Sequence, residues 1–418
     1  MDYRNFLRKT MPFQPLDVAD AQQLVESTCL LIGDDMQILS TEMPRDQERA
    51  GSVVIRGRLL RPSHEVFPRW LKALNEQGYT PILRYDPAWT DETEQVGQDD
   101  IVALHIVSGT APKSEDRPLI NLILFLLTLV STFLAGSINS GGNQAESISE
   151  LFSLQNLWTG WPFACTLLGI LTAHEFGHYF AARYHKVAVT LPYFIPMPIT
   201  FLGTLGAFIR MKEPVPDLRK LFDIGVAGPL AGLVLAIPLL FFGLSTSPVM
   251  VANFVEGGML EGNSILYYYA KIMVFGQALP NPITGEDVFM NQVTFGAWIG
   301  LLVTALNLLP VGQLDGGHTV YALFSGRARI INIGMLIVMG LLAVAGLESL
   351  QAQYPVLVNF GFSGWFLWIG MILFVIGPFH PPALDDVTRL DHKRRLIGYL
   401  IIVIFILTFV PVPMRFMG

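Results

Sequence analysis

The pattern of hydrophobic positions changes near residue 119. Before that point, the short apolar-rich segments "VVIRGRL", "PILRYD" and "IVALHIVS" predict strands. Between the first two, "PSHEVFPRWLKALNEQG" places Val66, Trp70, Leu71 and Leu74 at helical spacing, and "DVADAQQLVESTCLLIG" reads as a further helix. We therefore expect a small soluble α+β domain with an antiparallel sheet at residues 1–112.

After that point the chain contains long apolar runs in place of these short segments. A helix needs roughly 20 apolar residues to cross the hydrocarbon core of a bilayer, and most of the runs reach or approach this length. They lie at 119–138, 160–182, 222–243, 293–309, 330–348, 363–379 and 396–412. The pattern predicts a mainly α, polytopic membrane protein with about seven transmembrane helices at residues 113–418.

Composition supports this membrane class. The 418 residues are 52% hydrophobic and only 15% charged, with a mean hydropathy of +0.47. The segments that would share one side of the membrane with the N-terminus carry 12 Lys and Arg residues, against two on the opposite side. By the positive-inside rule, the N-terminal domain is expected on the cytoplasmic or stromal-equivalent side, in a plasma or thylakoid membrane.

One apolar segment does not suit a spanning helix. Residues 187–220 are interrupted by Pro192, Pro196, Pro198, Gly203 and Gly206. Irregular backbone at membrane depth survives only where protein or a water-filled cavity covers it. We predict a re-entrant, β-hairpin-like segment around residues 188–211, beside a cavity.

The candidate chemistry lies in "HEFGH" within the second apolar run. His174 and His178 share one face of a helix, at the spacing that lets two imidazoles bind one zinc ion, and Glu175 lies beside them. A charge at the centre of a spanning helix costs roughly 2.5–3.5 kcal/mol, so such residues mark function. The sequence favours a catalytic metal site over a chance match, with a multi-span ion or proton transporter as the alternative.

Catalytic zinc needs a third protein ligand, and the candidate is Asp315. The fourth apolar run ends in "NLLPVGQLDGGH", where Pro310 interrupts the helix and Gly316 and Gly317 permit close backbone approach. The pattern alone leaves a second interpretation open, in which Asp315 caps the N-terminus of the next helix.

The two motifs together resemble the site-2 protease family of intramembrane zinc metalloproteases. The resemblance covers most of residues 119–412, and the long N-terminal extension is similar to the cyanobacterial and chloroplast branch. It implies that His174, His178 and Asp315 bind one Zn²⁺ per chain. It also implies that Glu175 is the catalytic acid and base, and that Asn307 contacts the substrate backbone or the developing oxyanion.

The resemblance also implies the partners. Single-span membrane proteins are the expected substrates, the lipid bilayer is the expected environment, and no nucleic acid is expected. Residues 244–292 are too few for the PDZ domain that many bacterial relatives carry between the two motifs. The glycines of "AGPLAG", Gly228 and Gly232, are expected to permit close helix packing.

Overall fold

The computed structural model describes residues 16–43, 52–86, 101–110, 117–139, 150, 152–251 and 259–416. The predicted domain boundary at residues 112 and 113 lies outside them. The strands are β1 Met36–Glu42, β2 Ser52–Leu59, β3 Tyr79–Tyr85, β4 Ile101–Ser108, β5 Tyr193–Met197, β6 Gly203–Phe208, β7 Val249–Val251, β8 Met259–Glu261, β9 Glu286–Val288 and β10 Met414–Phe416.

Helices make up most of the described chain. In chain order they are α1 Val18–Ile32, α2 Ser63–Glu76, α3 Pro118–Asn139, α4 Leu154–Thr159, α5 Trp161–Tyr184, α6 Leu218–Ser245, α7 Ile265–Phe275, α8 Gln292–Asn307, α9 Asp315–Phe324, α10 Ala328–Ala345, α11 Glu348–Gln353, α12 Trp365–Met371 and α13 His392–Thr408. The turn Ser325–Arg327 joins α9 to α10, and a π-helical turn, Ile372–Ile376, extends α12.

The N-terminal part consists of a four-stranded antiparallel sheet and two helices. The strand order is β1-β2-β4-β3, and α2 packs on the sheet with Val66, Phe67, Trp70 and Leu74 buried. The helices and strands predicted here are all present. The strand β1 was not predicted, because most of its residues are polar or exposed at the edge of the sheet.

Three of the described helical segments are long and apolar enough to cross a membrane: Pro118–Asn139, Leu218–Ser245 and Asp315–Ala345. The apolar helices Ile265–Phe275, Gln292–Asn307 and Trp365–Ile376 are shorter. The helix α5 has 24 residues, but His174, Glu175 and His178 interrupt its apolar sequence. These helix lengths support a membrane protein. The number of seven transmembrane helices stays a prediction.

The strands β5 and β6 form an antiparallel pair beside α3. Asn121 of α3 donates from Nδ2 to the carbonyls of Leu191 (3.0 Å) and Pro192 (2.9 Å). Gly203 has φ of 72°, and a Cβ there would lie 2.4 Å from the Ser131 carbonyl oxygen, so only glycine fits. The two strands are thereby fixed against α3 and lead towards the buried histidines of α5.

Candidate zinc and active site

The helix α5 brings two imidazoles together. His174 and His178 lie one turn apart, with their Nε2 atoms 3.2 Å from each other. Both rings and the Glu175 side chain are buried, and the exposed fraction of each residue is 7% or less. This part of α5 packs on α6 and α8. Gly177 permits the close approach of α5 to α6, since a Cβ there would lie 2.5 Å from the Ala227 carbonyl oxygen.

Asp315 reaches the histidines from a different part of the chain. Its Oδ2 lies 3.2 Å from Nε2 of His174 and 3.3 Å from Nε2 of His178. Asp315 is the first residue of α9, whose N-cap is Leu314 without a side-chain cap hydrogen bond. The capping interpretation is therefore wrong, because the carboxylate faces the imidazoles instead of the helix N–H groups.

Glycines after Asp315 make this placement possible. A Cβ at Gly316 would lie 2.0 Å from the carbonyl oxygen of Leu308, and one at Gly317 would lie 2.3 Å from that of Gly312. The start of α9 is therefore pressed against the loop that follows α8, closer than any side chain would allow. Because the two residues after Asp315 in "LDGG" have no side chain, the start of α9 can lie close enough to place the carboxylate beside the histidines.

The three donor atoms fit zinc. At a zinc–ligand distance of about 2.0–2.1 Å, two corners of a tetrahedron lie about 3.3 Å apart. The three separations among His174 Nε2, His178 Nε2 and Asp315 Oδ2 are 3.2, 3.2 and 3.3 Å. Two imidazole nitrogens and one carboxylate oxygen also form a donor set of catalytic zinc, which leaves a fourth corner for water or substrate.

Neighbouring groups hold the ligands in orientation. Nδ1 of His178 lies 2.7 Å from the Ile224 carbonyl oxygen, so this nitrogen carries the proton and Nε2 is left for the metal. A Cβ at Gly228 would lie 2.1 Å from Nε2 of His178, and one at Gly232 would lie 3.4 Å from Nδ1 of His174. The "AGPLAG" glycines pack directly on the ligand rings, which the sequence did not reveal.

A cavity of about 190 Å³ opens at this site. It is lined by Glu175 and the three ligands, and by Phe208 and Ile209 at the end of β6. Asn307, at the end of α8, also lines it, with Nδ2 3.3 Å from His174 Nε2. The structure thus places every residue predicted for the site, namely His174, Glu175, His178, Asn307 and Asp315, around one cavity.

His318 and Ile209 line the same cavity but were not assigned to the site from the sequence. His318 directly follows the "LDGG" motif, where the sequence leaves support of the metal ligands and a polar contact at the start of a helix equally open. Ile209 contributes its backbone beside the Glu175 carboxylate, and a backbone contact leaves no mark in the residue type.

An HExxH helix with a carboxylate as third ligand defines the class: a zinc metalloprotease. Residues 162–345, which contain both motifs, match the model of Peptidase family M50. The resemblance to the site-2 protease family is confirmed, and the transporter alternative finds no support.

Curated relatives carry zinc metalloprotease names. The chain is 27% identical over 430 residues to "Probable zinc metalloprotease EGY1, chloroplastic" of Arabidopsis thaliana, covering 96% of this chain and 74% of the relative. The rice relative of the same name (Oryza sativa subsp. japonica) is 26% identical, with 95% and 68% covered. "Probable zinc metalloprotease EGY2, chloroplastic" of Arabidopsis thaliana is 28% identical over 69% of this chain and 49% of the relative.

Proposed function

We propose that this protein is an intramembrane zinc protease, which hydrolyses a peptide bond in or near the transmembrane helix of membrane-anchored substrates. One observation carries the proposal. His174, His178 and Asp315 come from two helical segments of an apolar protein, and their Nε2, Nε2 and Oδ2 atoms lie 3.2–3.3 Å from one another. Unpaired charged groups are costly at such depth, so their convergence there calls for a metal and its chemistry.

The residues of the cavity divide the reaction between them. The three ligands would hold a zinc ion, which when bound would act as a Lewis acid on a carbonyl and lower the pKa of water. Glu175 takes the proton from the attacking water and passes it to the departing amide nitrogen. The amide Nδ2 of Asn307, beside His174, donates to the oxygen on which negative charge develops.

A substrate helix hides its amide bonds in its own hydrogen-bond ladder, so the substrate unwinds before one of these bonds is cleaved. Phe208 and Ile209, at the end of β6, border the cavity, so an added strand beside β6 is the binding mode we favour.

The proposed membrane arrangement keeps about seven spans, with the N-terminal domain and the zinc site towards the cytoplasmic or stromal side. The excess of Lys and Arg in one set of connecting segments supports it. Single cysteines at Lys393 and Asn281, in a chain whose Cys29 and Cys165 are changed to serine, would report it. An impermeant maleimide added outside intact cells should label position 281 only; labelling of position 393 alone would reverse the orientation.

The catalytic proposal is tested with purified protein and a tagged single-span substrate in lipid vesicles. Wild-type protein should cut the substrate within or beside its membrane helix, and the Glu175→Gln protein should retain zinc and lose cleavage. Phe180→Leu, an exposed position on the same helix, serves as the matched control and should cleave normally. Undiminished cleavage by zinc-loaded Glu175→Gln protein would remove Glu175 from the chemistry.

A further inference from the structure

We propose that His318 is a further catalytic residue, which donates a hydrogen bond from Nε2 to the substrate carbonyl, and that His380 holds it in this orientation. The inference rests on the proposed protease function and adds a group to the same cavity. His318 lies one turn after Asp315 on α9 and lines the cavity together with Glu175. A neutral imidazole N–H at this place acts as a donor beside Asn307.

The ring of His318 is fixed on two sides. Its Cβ packs on α6, where a Cβ at Gly225 would lie only 2.9 Å away. Its Nδ1 lies 2.6 Å from Nε2 of His380, with the two rings nearly perpendicular at 76°. Tyr321 stacks on the other imidazole with ring centroids 4.8 Å apart, so His380 is itself clamped.

The hydrogen-bond partners of the pair determine which nitrogen of His318 carries the proton. Nδ1 of His380 is buried, and among the described residues it has no hydrogen-bond partner. The nearby Pro381 carbonyl does not reach hydrogen-bond geometry with it. An orphaned buried N–H is rarer than an orphaned acceptor, so His380 carries its proton on Nε2 and donates to His318 Nδ1.

With Nδ1 as an acceptor, His318 carries its own proton on Nε2. Among the residues that the structure describes, this Nε2 atom has no hydrogen-bond partner, and it is not fully buried. Since the residue lines the zinc cavity, the free N–H is open to a bound substrate. The proposed role thus follows from the geometry of the pair, without any change of charge.

The test compares His318→Ala with His318→Gln, whose amide keeps a donor. We expect kcat for the tagged substrate to fall about 10²-fold in His318→Ala with KM within threefold of wild type, and His318→Gln to recover at least tenfold of the loss. His380→Ala should lower kcat as well, and His380→Gln, which can still donate to Nδ1, should restore it. Zinc content and the thermal unfolding midpoint should stay at wild-type values.

A second readout does not depend on turnover. In the Glu175→Gln background, a phosphinic dialanine analogue, which presents tetrahedral oxygens, should bind at least tenfold more weakly when His318 is alanine. Unchanged kcat and unchanged inhibitor affinity in His318→Ala would overturn the assignment, as would equal losses in the Ala and Gln variants. Failure of the wild-type protein to cleave would instead refute the protease function.

A separate observation concerns the N-terminal domain, and from it we infer that this domain controls the catalytic site through residues 383–388. This segment lies along the edge strand β3: Leu83 N–H donates to the Leu384 carbonyl (2.8 Å), and Asp386 N–H donates to the Leu83 carbonyl (3.2 Å). Leu384 and Val387 complete the core of the N-terminal domain. Ser63 and Thr388 add a hydroxyl pair at 2.7 Å.

The same segment contacts the site side of the molecule. Leu384 N–H donates to the Val215 carbonyl (3.0 Å) and Asp385 N–H to the Pro216 carbonyl (2.8 Å), in the stretch between β6 and α6. Tyr321 of α9 donates from its hydroxyl to Asp386 (2.8 Å). One strand-like segment therefore joins the N-terminal sheet, the stretch between β6 and α6, and the helix that carries Asp315.

Weakening only the N-terminal side of this junction tests the inference. In Ser63→Ala/Arg84→Ala protein, the hydroxyl pair and the Arg84 bonds to the Ala383 (2.6 Å) and Leu384 (3.3 Å) carbonyls are lost. We expect kcat to change at least threefold with zinc retained, while Arg58→Ala, on an exposed position of β2, leaves it unchanged. A kcat within 20% of wild type, with faster hydrogen exchange at residues 383–388, would show that the contact carries no control.

Discussion

Replacing Gly228 by alanine is the sharpest steric test of the zinc site. The new Cβ would lie 2.1, 2.4 and 2.5 Å from Nε2, Cδ2 and Cε1 of His178, whereas ordinary contacts begin at 3.4 Å. The imidazole or the helix α6 must therefore move by about 1.3 Å. The His178 ring cannot rotate away freely, because its Nδ1 is hydrogen-bonded to the Ile224 carbonyl oxygen.

A movement of this size exceeds what the metal tolerates. Zinc–ligand distances vary by only about 0.2 Å, and a misplacement of about 1 Å near the chemistry costs on the order of 10² in rate. We therefore expect Gly228→Ala to lower kcat/KM about 10²-fold and to lower zinc affinity at least tenfold. The helix itself should gain about 0.8–1 kcal/mol of propensity, so unfolding alone does not account for the loss.

The matched control is Gly232→Ala in the same helix. A Cβ there would lie 3.4 Å from Cβ and Nδ1 of His174, which is an ordinary contact. The assay measures cleavage of the tagged substrate, and zinc retained after dialysis against a chelator, for both variants. Equal activity of the two proteins would refute the placement of Gly228 against a metal ligand.

Three further predictions concern single groups. Glu175→Gln should lower kcat about 10²- to 10⁴-fold with zinc content unchanged, measured by cleavage and metal analysis; loss of zinc as well would make Glu175 part of the metal site. Asn307→Ala should lower kcat about 10²-fold while Asn307→Gln retains part of it, and equal KM in all three proteins distinguishes an oxyanion donor from a binding contact. Lys271 is fully buried, with Nζ 3.6 Å from Glu261 and 3.5 Å from Asp287, so Lys271→Met should lower the free energy of unfolding by roughly 3–5 kcal/mol in denaturant titrations. Addition of Glu261→Gln and Asp287→Asn should recover most of that loss, and no recovery would show that packing, not charge, is the cause.

The zinc ligands were predictable because metal chemistry restricts residue type and spacing. In HExxH, the i and i+4 positions by themselves put His174 and His178 on one side of a helix. Asp315 was harder, because its sequence neighbourhood, taken alone, favours a helix cap. Only the backbone contacts at Gly316 and Gly317 explain why its carboxylate faces the imidazoles.

Contacts between distant segments were outside the reach of the sequence. Gly228 lies 50 residues from His178, and His380 lies 62 residues from His318, so no local pattern links either pair. The strand β1 escaped prediction for another reason: its edge position leaves most of its side chains exposed, and the alternation that reveals a strand is weak there. The seven spans and the sidedness stay predictions from hydropathy and charge.

Zinc-edge X-ray absorption of the purified protein tests most directly whether α5 and α9 share one zinc ion. The wild-type spectrum should show about one zinc per chain with two imidazoles and oxygen donors at about 2.0–2.1 Å, and no sulfur. Asp315→Ala should remove the metal or one oxygen donor. A wild-type spectrum with fewer than two imidazoles, or one that is identical in Asp315→Ala, would contradict the shared site.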